Sequence, residues 1–121
     1  MSAAKVNLDL LHKLLRDNKG AFKKALELFV ETTEDDMELL GAQIRNMKYP
    51  EASRVAHSLK SRFVYLGNEE LNANIKRLEL LLKESSVDVI NRDAEMLYKN
   101  INQTIFFCLH ELNAEIRALN D

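Results

Sequence analysis

Turn-forming residues and cysteine are scarce in this sequence. It contains one proline, three glycines and one cysteine among 121 residues. β-Sandwiches and β-barrels need turn residues about every 8–12 positions, so this composition argues against both folds. A single cysteine forms no internal disulfide, and we expect Cys108 to be a small residue of the hydrophobic core.

Neither sign of charge dominates, and long apolar runs are missing. Seventeen basic and nineteen acidic residues leave a net charge of −2, which gives no indication of a nucleic-acid-binding surface. The longest stretch without a charged side chain, 100–110, has eleven residues, whereas a membrane-spanning helix needs about 20. The chain does not open with the basic and then apolar segments of a secretory signal. We therefore expect a cytoplasmic protein with no nucleic-acid or membrane partner.

The sequence does contain strong helical periodicity. Apolar residues recur at steps of three, four and seven residues, which is typical of amphipathic helices. The longest early stripe extends to Met47 and includes Gly41, and because glycine costs about 1 kcal/mol relative to alanine in a helix, we expect a close helix contact there. The first predicted helix is short: it starts after Asn7 and is ended by residues 17–20. Four longer helices are predicted over 21–47, 51–66, 69–84 and 87–119.

The connections between these helices are short. Pro50 is suited to the first turn of a helix. Gly67 is predicted to end this helix in the left-handed conformation, and Asn68 is predicted to be the N-cap of the next helix. Connections of about two to four residues require successive helices to run antiparallel. The sequence thus predicts an all-α fold, an antiparallel up-down four-helix bundle with a short N-terminal capping helix, as a single domain over residues 1–121.

Three histidines are candidates for chemistry, and helical geometry separates them. His57 falls outside the apolar face that contains Leu59 and Phe63, so it should face solvent. We expect His12 at the boundary of an apolar stripe and His110 on the surface. No two histidines are three or four residues apart, so we predict no metal site. The residues predicted to share the side of His57 are Ser53, Lys60, Ser61 and Val64.

The run Ala56-His57-Ser58-Leu59-Lys60-Ser61 is followed by Gly67, ten residues after the histidine, and by a further helix. It resembles the signature of histidine-containing phosphotransfer (Hpt) domains, which are four-helix bundles of two-component phosphorelays. The resemblance covers essentially the whole chain. Ser61 stands where the family has glycine, and Arg62 and Phe63 stand where small residues usually follow. We expect the Arg62 side chain to run along a neighbouring helix.

The resemblance implies a role for each matching residue. His57 matches the phosphoacceptor, Lys60 matches the lysine that balances phosphate charge, and Glu79 matches a glutamate that holds the other imidazole nitrogen. Glu79 in that role would fix the proton on Nδ1, so that Nε2 attacks phosphorus. Lys76 either adds a second cation or is a solvated helix charge. The residues expected to bind around the histidine are Ser53, Ser61, Val64, Lys76 and Gly67.

The function implied is that of a phosphorelay carrier, not an enzyme, with no cofactor and no metal. No Walker motif or glycine-rich loop indicates a nucleotide site. The expected partners of this monomeric carrier are the receiver domain of a response regulator and a sensor histidine kinase, hybrid or not. One alternative is a phosphate-independent adaptor bundle that docks receivers without transfer; another is a stand-alone enzyme, for which no catalytic constellation is visible.

Overall fold

A computed structural model describes residues 6–15 and 18–120, and all regular secondary structure in these residues is helical. None of the helices in those ranges combines the length and the apolar character that crossing a membrane would take. The five α-helices are α1 (Asp9–Leu15), α2 (Lys19–Arg45), α3 (Tyr49–Phe63), α4 (Glu69–Glu84) and α5 (Val87–Leu119), and a 3-10 turn covers Val64–Leu66.

The four long helices surround one hydrophobic core. Helix α3 packs against α2 and α4, and α5 packs against the same two helices, while α1 lies on α2 and the 3-10 turn. Each long helix therefore buries one apolar face between two neighbours. Cys108 is fully buried on α5, as predicted. The most deeply buried large side chains include Leu26, Leu40, Leu59, Phe63, Leu78 and Leu112.

Helix α2 begins and ends two residues earlier than the sequence pattern predicts. Asn18 is its N-cap, and the Asn18 side chain accepts a hydrogen bond from the Ala21 N–H, so Gly20 is helical and not part of a connection. Asp17, predicted at the end of the first helix, lies outside the described residues. The prediction that Met47 belongs to the apolar stripe is wrong, because this residue follows the helix with φ of 59° and is exposed.

Helix α3 begins at Tyr49 with Pro50 in its first turn, and it gives way to the 3-10 turn after Phe63. The left-handed stop predicted at Gly67 is confirmed by its φ of 66°. Asn68 then caps α4 by accepting a hydrogen bond from the Leu71 N–H. These signals fix where the helix that carries His57 ends and where the helix opposite it begins.

The close helix contact predicted at Gly41 is confirmed. A Cβ atom at this position would lie 2.6 Å from the hydroxyl oxygen of Tyr98 on α5. That hydroxyl donates a hydrogen bond of 2.8 Å to the backbone carbonyl of Met37. A larger residue at position 41 would force the Tyr98 side chain, which crosses α2 at this point, to shift.

Candidate functional site

His57 lies in the middle of α3 and faces solvent, as its position on the helix predicts. Its side chain is 59% exposed. Ala56 and Leu59, on the opposite side of the helix, are fully buried in the core. The apolar face of α3 thus fixes the rotation of the helix and directs the imidazole outwards.

Glu79 on α4 joins His57 to Lys60. Its Oε2 lies 2.8 Å from His57 Nδ1, and its Oε1 lies 2.9 Å from Lys60 Nζ. Only 12% of the Glu79 side chain is exposed. Because a carboxylate only accepts hydrogen bonds, the proton of the first contact sits on Nδ1. In the neutral imidazole this leaves the lone pair on Nε2.

The pKa of Glu79 lies below its ordinary value of 4.5. Burial acts in the opposite direction and raises this pKa, but the hydrogen bonds from Lys60 and His57 and their electrostatic interactions with the carboxylate together outweigh it. Glu79 is therefore ionised at neutral pH and can accept both contacts.

Ser53 does not lie on the solvent side of α3, contrary to its predicted placement. It is buried, and its hydroxyl donates a hydrogen bond of 3.2 Å to the backbone carbonyl of Glu79. Ser53 lies at the edge of the apolar face of α3, and it is buried because α4 packs over this edge. The residue ties the two helices together at the level of the glutamate.

A groove of about 570 Å³ borders His57 on the side of Pro50. It contains two basic residues that the motif does not identify, Arg54 and Lys83. The signal for them in the sequence is spacing: Arg54 lies one turn before His57, and Lys83 lies one turn after Glu79. The groove is lined by Pro50, Ser53, Arg54, His57, Ser58, Glu79, Leu82 and Lys83.

A second groove, of about 610 Å³, brings together four of the predicted site residues on the other side of Lys60. Val64 is 55% exposed here, in keeping with the prediction that the core does not require it. Gly67 lies beyond this groove, in the turn between α3 and α4. The lining residues are Lys60, Ser61, Val64, Asn72, Ala73 and Lys76.

Arg62 runs back along α2, as predicted. Its guanidinium lies 2.6 Å from a carboxylate oxygen of Asp36 and 3.4 Å from the hydroxyl of Thr33. The side chain therefore stays away from the exposed face of His57. Ser61, in contrast, is exposed and stands beside Lys60 on that face.

The other two histidines are remote from this cluster. The His12 ring stacks on Phe22 with 4.3 Å between centroids, and His110 is exposed on α5. Within residues 6–15 and 18–120, no group of three or more histidine, cysteine or acidic side chains could hold a metal ion.

Comparison with known proteins gives one match. Residues 24–121 match the family model of the Hpt domain, a range that contains His57, Lys60 and Glu79 as well as α3, α4 and α5 in full. Searches of the curated proteins and of the solved structures found no match.

Proposed function

The chain belongs to the Hpt domain family, and from this premise we propose that it is a phosphorelay carrier that accepts a phosphoryl group on His57. Hpt domains act in two-component phosphorelays by histidine phosphotransfer, as carriers rather than catalysts. In the proposal, His57 exchanges the group with the aspartate of a receiver domain, in either direction. The observation that carries the assignment is the contact of 2.8 Å between Glu79 and Nδ1 of an exposed imidazole.

The transfer step follows from that contact. The Nε2 lone pair attacks phosphorus, the bond from phosphorus to the aspartate oxygen breaks, and the aspartate leaves as a carboxylate. Since the Nδ1 proton stays in place, the ring gains one positive charge, which the ionised Glu79 compensates. Transfer to a second receiver reverses these steps.

In the proposal, the other predicted site residues supply charge, bind the receiver domain or position α4. Lys60 keeps Glu79 ionised and adds positive charge near the transferring group. Ser61, Val64 and Lys76 belong to the surface that receives the receiver domain, with Gly67 closing the turn beside it. Ser53 holds α4 at the distance that the Glu79 contact needs.

The proposal also covers the fold, the cellular location and the oligomeric state. We infer an antiparallel up-down four-helix bundle with α1 as its cap, forming a single domain over residues 1–121. The proposed carrier is a cytoplasmic monomer that takes its phosphoryl group from a sensor histidine kinase pathway and binds no nucleotide itself.

Incubation with a receiver domain phosphorylated on its aspartate tests the proposal. Acid-labile labelled phosphate on this chain, lost in His57→Gln, is the expected result. Stable binding of the receiver with no label on the chain would instead identify an adaptor that docks receivers without transferring phosphate. Neither binding nor label with any phosphorylated receiver or phosphodonor would overturn the assignment.

A further inference from the structure

Lys60 is already engaged in the unphosphorylated protein. Its ammonium lies 2.9 Å from Glu79 Oε1, and the same carboxylate holds His57 Nδ1 through Oε2. Lys60 is thus anchored on the Nδ1 side of the imidazole, whereas the phosphoryl group is expected on Nε2. Moving its ammonium to the phosphoryl oxygens would separate an ion pair whose carboxylate is largely buried, which is costly.

Two other basic residues line a groove with His57 and are not held in an ion pair of this kind. Arg54 and Lys83 line the groove that His57 borders, and Lys60 does not line it. Both side chains are exposed, and neither has an ion-pair partner in the part of the chain that the structure describes. Arg54 lies three residues before His57, so the two side chains are neighbours on one face of α3.

The groove has the size and chemistry for a tetrahedral oxyanion. Its volume of about 570 Å³ leaves ample room for a phosphoryl group on the imidazole. Guanidinium and ammonium groups bind phosphoryl oxygens by charge-assisted hydrogen bonds, and arginine can do so through two parallel bonds. Leu82 and Pro50 form apolar walls that reduce the competition from water.

We propose that Arg54 and Lys83 bind the phosphoryl oxygens on His57, while Lys60 acts through Glu79. This inference rests on the proposed function and names the cations of that same site. It makes Arg54 and Lys83 phosphoryl-binding residues on the Pro50 side of the histidine, and it makes Lys60 a positioning residue.

A small phosphodonor tests this without any receiver interface. Phosphoramidate transfers its phosphoryl group to Nε2 as the phosphorus–nitrogen bond breaks and ammonia leaves. We expect Arg54→Gln/Lys83→Gln to lower the rate of His57 labelling by about tenfold or more, since each removed donor weakens the hold on the developing charge. Lys99→Gln, which removes an exposed cation on α5 that lines neither groove, should change the rate less than about twofold.

The outcomes separate the two claims. If the wild-type chain takes no label on His57 from phosphoramidate or from phosphorylated receivers, the proposed function fails. If it is labelled and the double variant matches Lys99→Gln, only the present inference fails. A loss of rate seen with a receiver donor but not with phosphoramidate would also overturn it, because the two cations would then contact the receiver and not the phosphoryl group. Unchanged helicity of the variants excludes unfolding as the cause.

Discussion

Glu79 holds His57 by the ring nitrogen that faces the protein, with 2.8 Å between Oε2 and Nδ1, although the two residues lie on different helices. The glutamate side chain is 12% exposed and the histidine side chain 59%. A largely buried anion therefore orients an exposed base. This combination restricts the ring to one tautomer while leaving Nε2 accessible to a partner.

Replacing His57 by glutamine should abolish acid-labile labelling and leave the helical content unchanged. The exposed side chain makes no core contact, so the fold does not depend on it. Labelled phosphate after incubation with a phosphorylated receiver, together with circular dichroism, measures both effects. His110→Gln, at an exposed position on α5, and His12→Gln should retain full labelling. Undiminished labelling of His57→Gln would refute the assignment of the phosphoacceptor.

Glu79→Gln should slow transfer without stopping it. The amide can still accept a hydrogen bond from Nδ1, but it cannot compensate the positive charge that the ring gains, and such losses cost about 10–1000-fold in rate. Lys60→Ala should act in the same direction, because it removes the ammonium whose hydrogen bond and positive charge lower the pKa of Glu79. Rapid-quench measurement of transfer from a phosphorylated receiver gives the rates.

Glu84→Gln, exposed at the end of α4, is the matched control. Wild-type rates for both site variants would remove these two residues from the mechanism.

The exposed position of His57 could be predicted from helical spacing, whereas the roles of the site residues come from the resemblance and stay predictions. Glu79 lies 22 residues after His57, and the resemblance assigns it to the imidazole; the geometry is consistent with that role. Arg54 and Lys83 were missed because the motif begins at Ala56. Each lies one helical turn from a site residue, but this spacing alone does not indicate that both line a groove with His57. Ser53 was misplaced for a different reason. A helical wheel describes one helix, whereas the burial of an edge position depends on the neighbour that covers it.

Helix existence was predictable because glycine and proline are rare enough to mark each boundary. The cap predicted at Asn68 and the start predicted at residue 87 agree with the observed starts of α4 and α5. The start of α2 was missed because Asn18 can equally end one helix or cap the next, and only the hydrogen bond to the Ala21 N–H decides between them. The 3-10 turn before Gly67 has no separate sequence signal, since its apolar residues continue the stripe of α3.

Acid should weaken the fold in part through Glu79. Its pKa is lowered in the folded protein, so the stabilisation is fully present above the ordinary value of 4.5 and is lost as the pH falls through the lower folded value. The free energy of unfolding of the wild type should therefore decrease more steeply below about pH 5 than that of Glu79→Gln. Denaturant titrations of both proteins across this range provide the comparison, in which the shared carboxylates cancel. Parallel pH profiles would show that the ion pair contributes no net stability.

Val64→Asp should slow transfer from a phosphorylated receiver by about tenfold while leaving the melting temperature nearly unchanged. Val64 is 55% exposed beside Lys60 and Lys76, so its side chain is available to a partner and is not needed by the core. Protein interfaces are apolar at the centre, and a truncated or charged central residue commonly costs more than 1 kcal/mol of binding, whereas rim residues cost little.

Three controls separate docking from chemistry and from folding in this experiment. Leu28→Asp, 61% exposed on α2 and outside both grooves, should leave the transfer rate unchanged, whereas Leu59→Asp, at a fully buried position, should unfold the protein. Labelling of Val64→Asp by phosphoramidate should proceed at the wild-type rate, because no receiver has to bind. If Val64→Asp instead melts as low as Leu59→Asp, or transfers from the receiver as fast as Leu28→Asp, the surface around Val64 is not where the receiver docks.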